Sequence, residues 1–267
     1  MGASFLITLR EGLEVSLVLA ILVSYLVKSG RTSEVGAVWK GSGAAVLLCL
    51  LSGIAFNIFV GEFDGKSEQF IEGTIAIVAA SVLTWMVFWM GRNARNLGAE
   101  LRGQVDAATT TRALMIIAFV AVLREGFETV LFLLSAETSS TSGASVVIGG
   151  FIGLGVAAVL GRLVYVGGNK LNLGLFFRVT GILLLLFAAG LFGKFFHEYR
   201  ELLGFEHGWL VESAWDIKSG IWAEGTFYEF MKGFFGWDAA AEHIRVIAFF
   251  AYLFPVGWLF VRTSGKR

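Results

Sequence analysis

The sequence predicts an all-α integral membrane protein of seven transmembrane helices: two inverted three-helix repeats plus one extra C-terminal helix. Three observations predict it. Hydrophobic residues make up 56% of the 267 and charged residues only 16%, whereas a soluble domain carries roughly 25% charged residues. Apolar runs of about 20 residues, the length that crosses the hydrocarbon layer, recur at 3–28, 36–61, 69–92, 112–136, 143–166, 175–196 and 243–262. One acidic pentad also occurs twice, each time inside an apolar run: Arg10-Glu11-Gly12-Leu13-Glu14 and Arg124-Glu125-Gly126-Phe127-Glu128.

Composition sharpens the class. Mean hydropathy is +0.75, and the formal net charge is zero, which excludes a strongly basic nucleic-acid binder. No basic residue precedes the first apolar run, and Arg10, Glu11 and Glu14 would spoil a cleavable leader, so the first run is expected to stay as a span. The single cysteine, Cys49, has no internal partner for a disulfide. One proline among 267 residues suits long helices, and 34 glycines suit helix backbones that approach closely in lipid.

The connections give the orientation. Lys28, Arg31 and Lys40 follow the first span; Glu62, Asp64 and Glu68 outnumber Lys66 in the next connection; Arg92, Arg95, Arg102 and Arg112 follow the third. The stretch 136–143 has no basic residue, then Arg162, Lys170 and Arg178 appear, and Arg262, Lys266 and Arg267 close the chain. Basic residues favour the cytoplasmic side. The N-terminus is therefore expected outside and the C-terminus in the cytoplasm, in the cell (inner or plasma) membrane.

Each pentad opens a unit of three spans, over 3–96 and 112–197. The flanks repeat as well, with Phe5 and Phe119, Leu9 and Leu123, Leu17 and Leu131, and Leu19 and Leu133 at one spacing. Three is odd, so the second unit runs upside down, the plan of many transporters whose site lies near the midplane. Both glutamate pairs lie about 8 to 11 residues from the outer end of their span; at about 1.5 Å per residue all four carboxylates share one level. Residues 198–242 form an outer connection rich in Trp and acids, including Glu198, Glu201, Glu206, Glu212 and Glu242, and are expected to lie as short amphipathic helices on the interface. In the unpaired seventh span, Pro255 is expected to kink the helix or end a hydrogen-bonding register.

The pentads carry the chemistry. A charge at the centre of a membrane helix costs about 2.5–3.5 kcal/mol on insertion scales, so intramembrane glutamates point to a functional site. Glu11 and Glu14, three apart, project from one helix face; Arg10 and Glu14, four apart, can pair. Gly12 and Gly126 remove side chains at the centre of each motif and are expected to let the partner motif helix approach. If the two motif helices cross there, four carboxylates meet, and they stay ionised only beside a cation or compensating arginines. Hard oxygen donors suit Mg, Ca, Mn or iron; no His or Cys lies in either motif, which argues against zinc or haem. The bland alternative is a buried Arg–Glu lock in each helix.

At these residues the chain resembles the high-affinity iron permeases, the oxidase-coupled permeases of fungi and the EfeU-type permeases of bacteria. The resemblance covers essentially the whole length in span count, orientation and motif placement. It implies iron, ferrous or ferric, as transported substrate, with Glu11, Glu14, Glu125 and Glu128 as ligands or relay carboxylates and Arg10 and Arg124 beside them. It implies no organic cofactor and no enzymatic reaction. The sequence enters its first span at once, so an iron-donating, oxidase or peroxidase partner on the outer side is expected to be a separate chain. Residues alone reach only a hard multivalent cation. A manganese transporter and a membrane di-iron carboxylate enzyme are the competing readings, although such enzymes use Glu-x-x-His spacings that neither pentad has. Loss of the carboxylate at Glu11 or Glu128 is expected to abolish uptake.

Weaker candidates lie towards the outer side. Glu72, His197 and Glu198 are candidates for an entry path, and Glu206-His207 and Glu242-His243 for an outer vestibule. Trp85, Met86, Trp89 and Met90 are expected to serve packing and the inner aromatic belt.

Overall fold

The computed structural model describes residues 1–60, 65–93, 97–108, 110–138, 143–167, 173–205 and 207–264. Glu62, Asp64, Arg95, Lys170, Glu206, Lys266 and Arg267, named above, lie outside the described residues, as does part of the 136–143 connection. The helices are α1 (Gly2–Lys28), α2 (Val35–Val60), α3 (Lys66–Asn93), α4 (Leu97–Ala107), α5 (Thr111–Thr138), α6 (Gly143–Gly167), α7 (Leu173–Leu202), α8 (Thr226–Phe235) and α9 (His243–Ser264). Among the described residues the only β-type pairing is a single bridge, Ser213 to Glu242.

Every predicted span is a helix. Five of them, α2, α3, α6, α7 and α9, are long and apolar enough to cross a membrane. α1 and α5 match them in length, at 27 and 28 residues. What sets these two apart is the charge of the pentads themselves.

Three long pairings build the body: α1 along α6, α2 along α5, and α3 along α7, with α1 also meeting α5 and α9 lying beside α7. The α1–α6 seam shows why. Ser4, Thr8, Gly12 and Ser16 recur every fourth residue on α1 and face Gly149, Gly153, Ala157 and Gly161, which recur every fourth residue on α6. Small residues at that spacing let two backbones lie close in the absence of a hydrophobic drive between helices. A Cβ on Gly153 would stand 2.4 Å from the Phe5 carbonyl oxygen, so the approach requires glycine. On α2, Gly41, Cys49 and Gly53 meet Met115, Gly126 and Val130 of α5 in the same parallel sense. Outward-facing side chains are large and apolar, such as Leu47, Leu51 and Ile54 on α2, Phe151 on α6 and Phe254 on α9.

Two ends can be distinguished. The Met1 end holds the start of α1 and α3 and the finish of α5 and α7. There α8 lies across α1, with Phe230 and Phe234 against Gly2, and the connection before it carries Trp215 stacked on Trp237 with centroids 5.0 Å apart. Past the end of α7, α8 is the one helix among the described residues of the expected amphipathic region; the described residues of 203–225 form turns and bends. α7 runs to Leu202, beyond its expected end at 196, so His197 and Glu198 lie within its final turns rather than past it. α9 continues through Pro255 and does not end there.

The Lys28 end holds α4, which the sequence reading leaves as a connection because the segment is mostly polar. Leu101 and Val105, one turn apart, are its buried residues and pack with Leu22 and Leu26 of α1. Arg31 fixes it by donating to the carbonyls of Val105 and Ala108 at 3.2 and 3.0 Å. The same guanidinium grips both oxygens of Glu34 at 2.9 Å, and this hydrogen bonding holds the Glu34 carboxyl below its ordinary range.

Candidate metal site

The helix period sets the local geometry. On α1 the Nε of Arg10 donates to Glu14 Oε1 at 3.1 Å, the expected pairing across one turn, with side chains 1% and 3% exposed. On α5 the Nε of Arg124 lies 3.3 Å from Glu128 Oε1 and 3.5 Å from Glu125 Oε1. Because α1 meets α5 at the motif level, Glu11, Glu14 and Glu125 each bring one carboxylate oxygen to within 4.8 Å of the other two, and all three residues are buried. Two oxygens on opposite sides of a hard cation at roughly 2.0–2.6 Å are about 4–5 Å apart, so the three fit around a single ion.

Both carboxylate oxygens of Glu11, one each of Glu125 and Glu128 (Oε2), and Arg10 Nη1 are buried without a hydrogen-bond partner. Native interiors rarely strand such atoms, and the exceptions require an explanation such as an ion. The stranded oxygens belong to the motif carboxylates. Glu128 is not one of the three that converge; its Oε1 is held by Arg124.

Apolar layers close the site at both ends. Ile7, one turn before Glu11, and Phe132, one turn after Glu128, are both 0% exposed and belong to a cluster with Ala136, Leu184 and Leu191. Towards Lys28, Val18, Leu22, Leu114 and Ala118 form the second cluster.

The motif glycines face α6 and α2, and not the partner motif helix as expected, because the small-residue seams of α1 and α5 are turned towards those flanking helices. A Cβ on Gly12 would stand 2.9 Å from Ala157 Cβ, and one on Gly126 would stand 2.4 Å from Cys49 Sγ. Each glycine thus seats the flanking helix and thereby sets how α1 and α5 are held.

Residues 1–261 match the model of the iron permease FTR1 family. The chain belongs to that family. This permease is 39% identical over 266 residues to the ferrous iron permease EfeU of Escherichia coli O6:H1 (strain CFT073), with 98% of this chain and 95% of that one covered. It is 39% identical over 260 residues to EfeU of Shigella sonnei (strain Ss046), covering 96% and 93%, and 37% identical over 265 residues to EfeU of Yersinia pestis, covering 97% and 93%. No solved structure matches the chain. The family is one of transporters, so the permease is an iron transporter of the membrane and not an enzyme.

The remaining candidates fall elsewhere. Glu72 and Glu198 are joined by Lys194, whose Nζ is 2.6 Å from Glu72 Oε2 and 3.8 Å from Glu198 Oε1. His197 Nδ1 lies 3.1 Å from Glu242 Oε2, and Arg200 donates to the other oxygen of Glu242 at 2.6 Å, tying α7 to the start of α9. The His243 ring lies tilted against Trp209, centroids 4.5 Å apart, and its Nδ1 is 2.8 Å from the Glu212 carbonyl oxygen; His207 is exposed. Met86 and Met90 are buried packing residues, and Trp89 lies beneath the Arg124 guanidinium, 4.4 Å from it. The sequence reading passes over Lys194 and the partnership of Trp89 with Arg124. A signal for the first was available: Lys194 is itself a charge within an apolar run, one turn from Glu198.

Proposed function

We propose that the permease imports ferrous iron through the site where Glu11 and Glu14 of α1 meet Glu125 of α5, with Glu128 as a neighbouring relay carboxylate. The observation that carries this is the convergence of three buried carboxylate oxygens, with several motif carboxylate atoms having no hydrogen-bond partner. Four glutamates beside two arginines leave a formal charge of two minus. A divalent cation neutralises that cluster, whereas a trivalent one would leave excess charge in a low-dielectric interior, where unbalanced charge is costly. The named relatives are ferrous permeases, which agrees.

In this reading the chain spans the membrane seven times as two inverted units, α1–α3 and α5–α7, with α9 unpaired. Support comes from the packing: exchanging α1, α2 and α3 for α5, α6 and α7 turns the α1–α6 pairing into α5–α2 and leaves α3–α7 and α1–α5 unchanged. The Met1 end is external and the C-terminus cytoplasmic, as the basic residues near Lys28 and Arg262 favour. Iron enters from the Met1 end, is held between the two apolar layers, and leaves when the layer around Val18 and Leu114 opens. Inward movement is electrically downhill by about 2.3 kcal/mol per charge per 100 mV.

The test is iron uptake into proteoliposomes under reducing conditions, with manganese as competitor. Glu11→Gln is expected to lower ferrous uptake about 100-fold while the protein still inserts and elutes as a folded species; loss of a ligand costs at least as much as the 10–100-fold typical of outer-shell partners. Wild-type uptake by the folded variant overturns the site. Equal transport of manganese overturns iron selectivity.

A further inference from the structure

Outside the carboxylate cluster, Lys194 is the one charged side chain that is buried among the described residues, at 6% exposure. Its ammonium has partners on three helices: it donates to Glu72 of α3 at 2.6 Å and to the carbonyl of Thr138, the last residue of α5, and forms an ion pair with Glu198 of α7 at 3.8 Å. Terminal helix carbonyls have no donor within their own helix and carry the negative end of its dipole, so an ammonium there both caps α5 and balances two carboxylates. Thr138 is ten residues beyond Glu128 on the same helix, about 15 Å at the helix rise. Between the two levels are Phe132 and Ala136, the α5 members of the apolar layer that closes the site towards the Met1 end.

Lys194 therefore grips the end of the helix whose other face must move if the site is to open outward. At the position that the repeat relates to Lys194, the Lys28 end carries no charge. When α3 and α7 are set in register by Gly73 with Gly181, Ala80 with Ala188 and Leu83 with Leu191, the position matching Lys194 is Met86, which is 1% exposed and apolar. One closure is ionic, the other hydrophobic. Glu72 and Glu198 remain 20% and 13% exposed above the ammonium, so a cation arriving from the Met1 end meets oxygens that Lys194 already holds.

We propose that Lys194 is the positioning residue of an outer gate, a tethered ammonium that binds the ends of α3, α5 and α7 together and must release Thr138 and Glu72 before iron can reach Glu11. The inference rests on the import reading above, with the Met1 end as the entry side. A cation at Glu72 and Glu198 competes for the same oxygens, so its arrival weakens the tie.

The experiment uses the full chain in proteoliposomes with a reporter thiol at Ala136→Cys, modified by a membrane-impermeant thiol reagent from the Met1 side; the protein without the reporter controls for Cys49. Adding Lys194→Met is expected to raise the modification rate about tenfold by shifting the closed population, while Lys194→Arg, which keeps a cation, restores slow modification. Glu72→Gln with Lys194→Met removes both charges together and is expected to show the same fast modification. With Lys194 intact, ferrous ion added outside is expected to speed modification of the reporter. A purely structural lysine would lower the yield of folded protein and leave the rate per folded molecule unchanged. Modification unaffected by ferrous ion, or unaffected by Lys194→Met once folded, overturns the gate. Iron uptake of Glu11→Gln is read in parallel: its loss beside unchanged modification sinks the gate alone, and its persistence sinks the site whatever the modification shows.

Discussion

The two copies of the pentad share a sequence pattern and do not share an environment. In the α1 copy Arg10 is 1% exposed and donates to Glu14, inside a seam of small residues against α6. In the α5 copy the Arg124 side chain is 39% exposed, is shared between Glu125 and Glu128, and rests on the ring of Trp89. The α1 copy supplies two of the three converging oxygens, the α5 copy one. An internal repeat thus provides like parts, and the packing gives them unlike duties: α1 forms the sealed wall of the site, and α5 its more accessible edge.

The comparison can be broken in three places. The largest difference is expected between the arginines. Arg10→Met leaves Glu14 buried without its partner and is expected to cost about 3–5 kcal/mol, as removal of one member of a buried pair does. Arg124→Met, at a partly exposed pair, is expected to cost about 1 kcal/mol. Denaturant unfolding of the purified variants in detergent checks both, and equal losses would mean that the two copies are equivalent after all.

Next come the two glutamates of α5. Glu125→Gln is expected to lower ferrous uptake about 100-fold and Glu128→Gln only about tenfold, the two ends of the range for metal-site partners. Initial uptake rates in proteoliposomes decide it. An equal loss would bring Glu128 back into the ligand set, as the sequence alone suggests.

The smallest effect concerns the seat of α5 on α2. Gly126→Ala forces its new Cβ against Cys49 Sγ and is expected to cost about 1–3 kcal/mol, the usual penalty of overpacking. Cys49→Ala in the same chain is expected to recover most of that loss. Absence of rescue would show that Gly126 matters for a reason other than this contact.

Much of the site was legible because the signal is local. Charges inside apolar runs stand out in any reading, and Glu11, Glu14 and Arg10 are related by the helix period alone, so their pairing followed once the segment was taken as a helix. Glu72, His197 and Glu198 were legible as charged or polar residues near span ends, and the pairing of Glu198 with Lys194 four residues earlier was legible in principle; the pairings of Glu72 with Lys194 and of His197 with Glu242 were not, since those partners lie 122 and 45 residues away in the chain. α4 was not legible, because two buried residues one turn apart in a polar segment leave almost no periodic trace.

By itself the sequence determined the membrane class, the helical segments, the duplicated acidic motif and the level at which its two copies lie, because hydropathy and the helix repeat act within each segment. Only the tertiary structure decided that Glu128 stands apart from the converging three, that Gly12 and Gly126 face α6 and α2, and that Lys194 occupies the carboxylates of Glu72 and Glu198. The physical reason is rotational. The period of a helix fixes which residues share a face, but contact with its neighbours fixes where that face points.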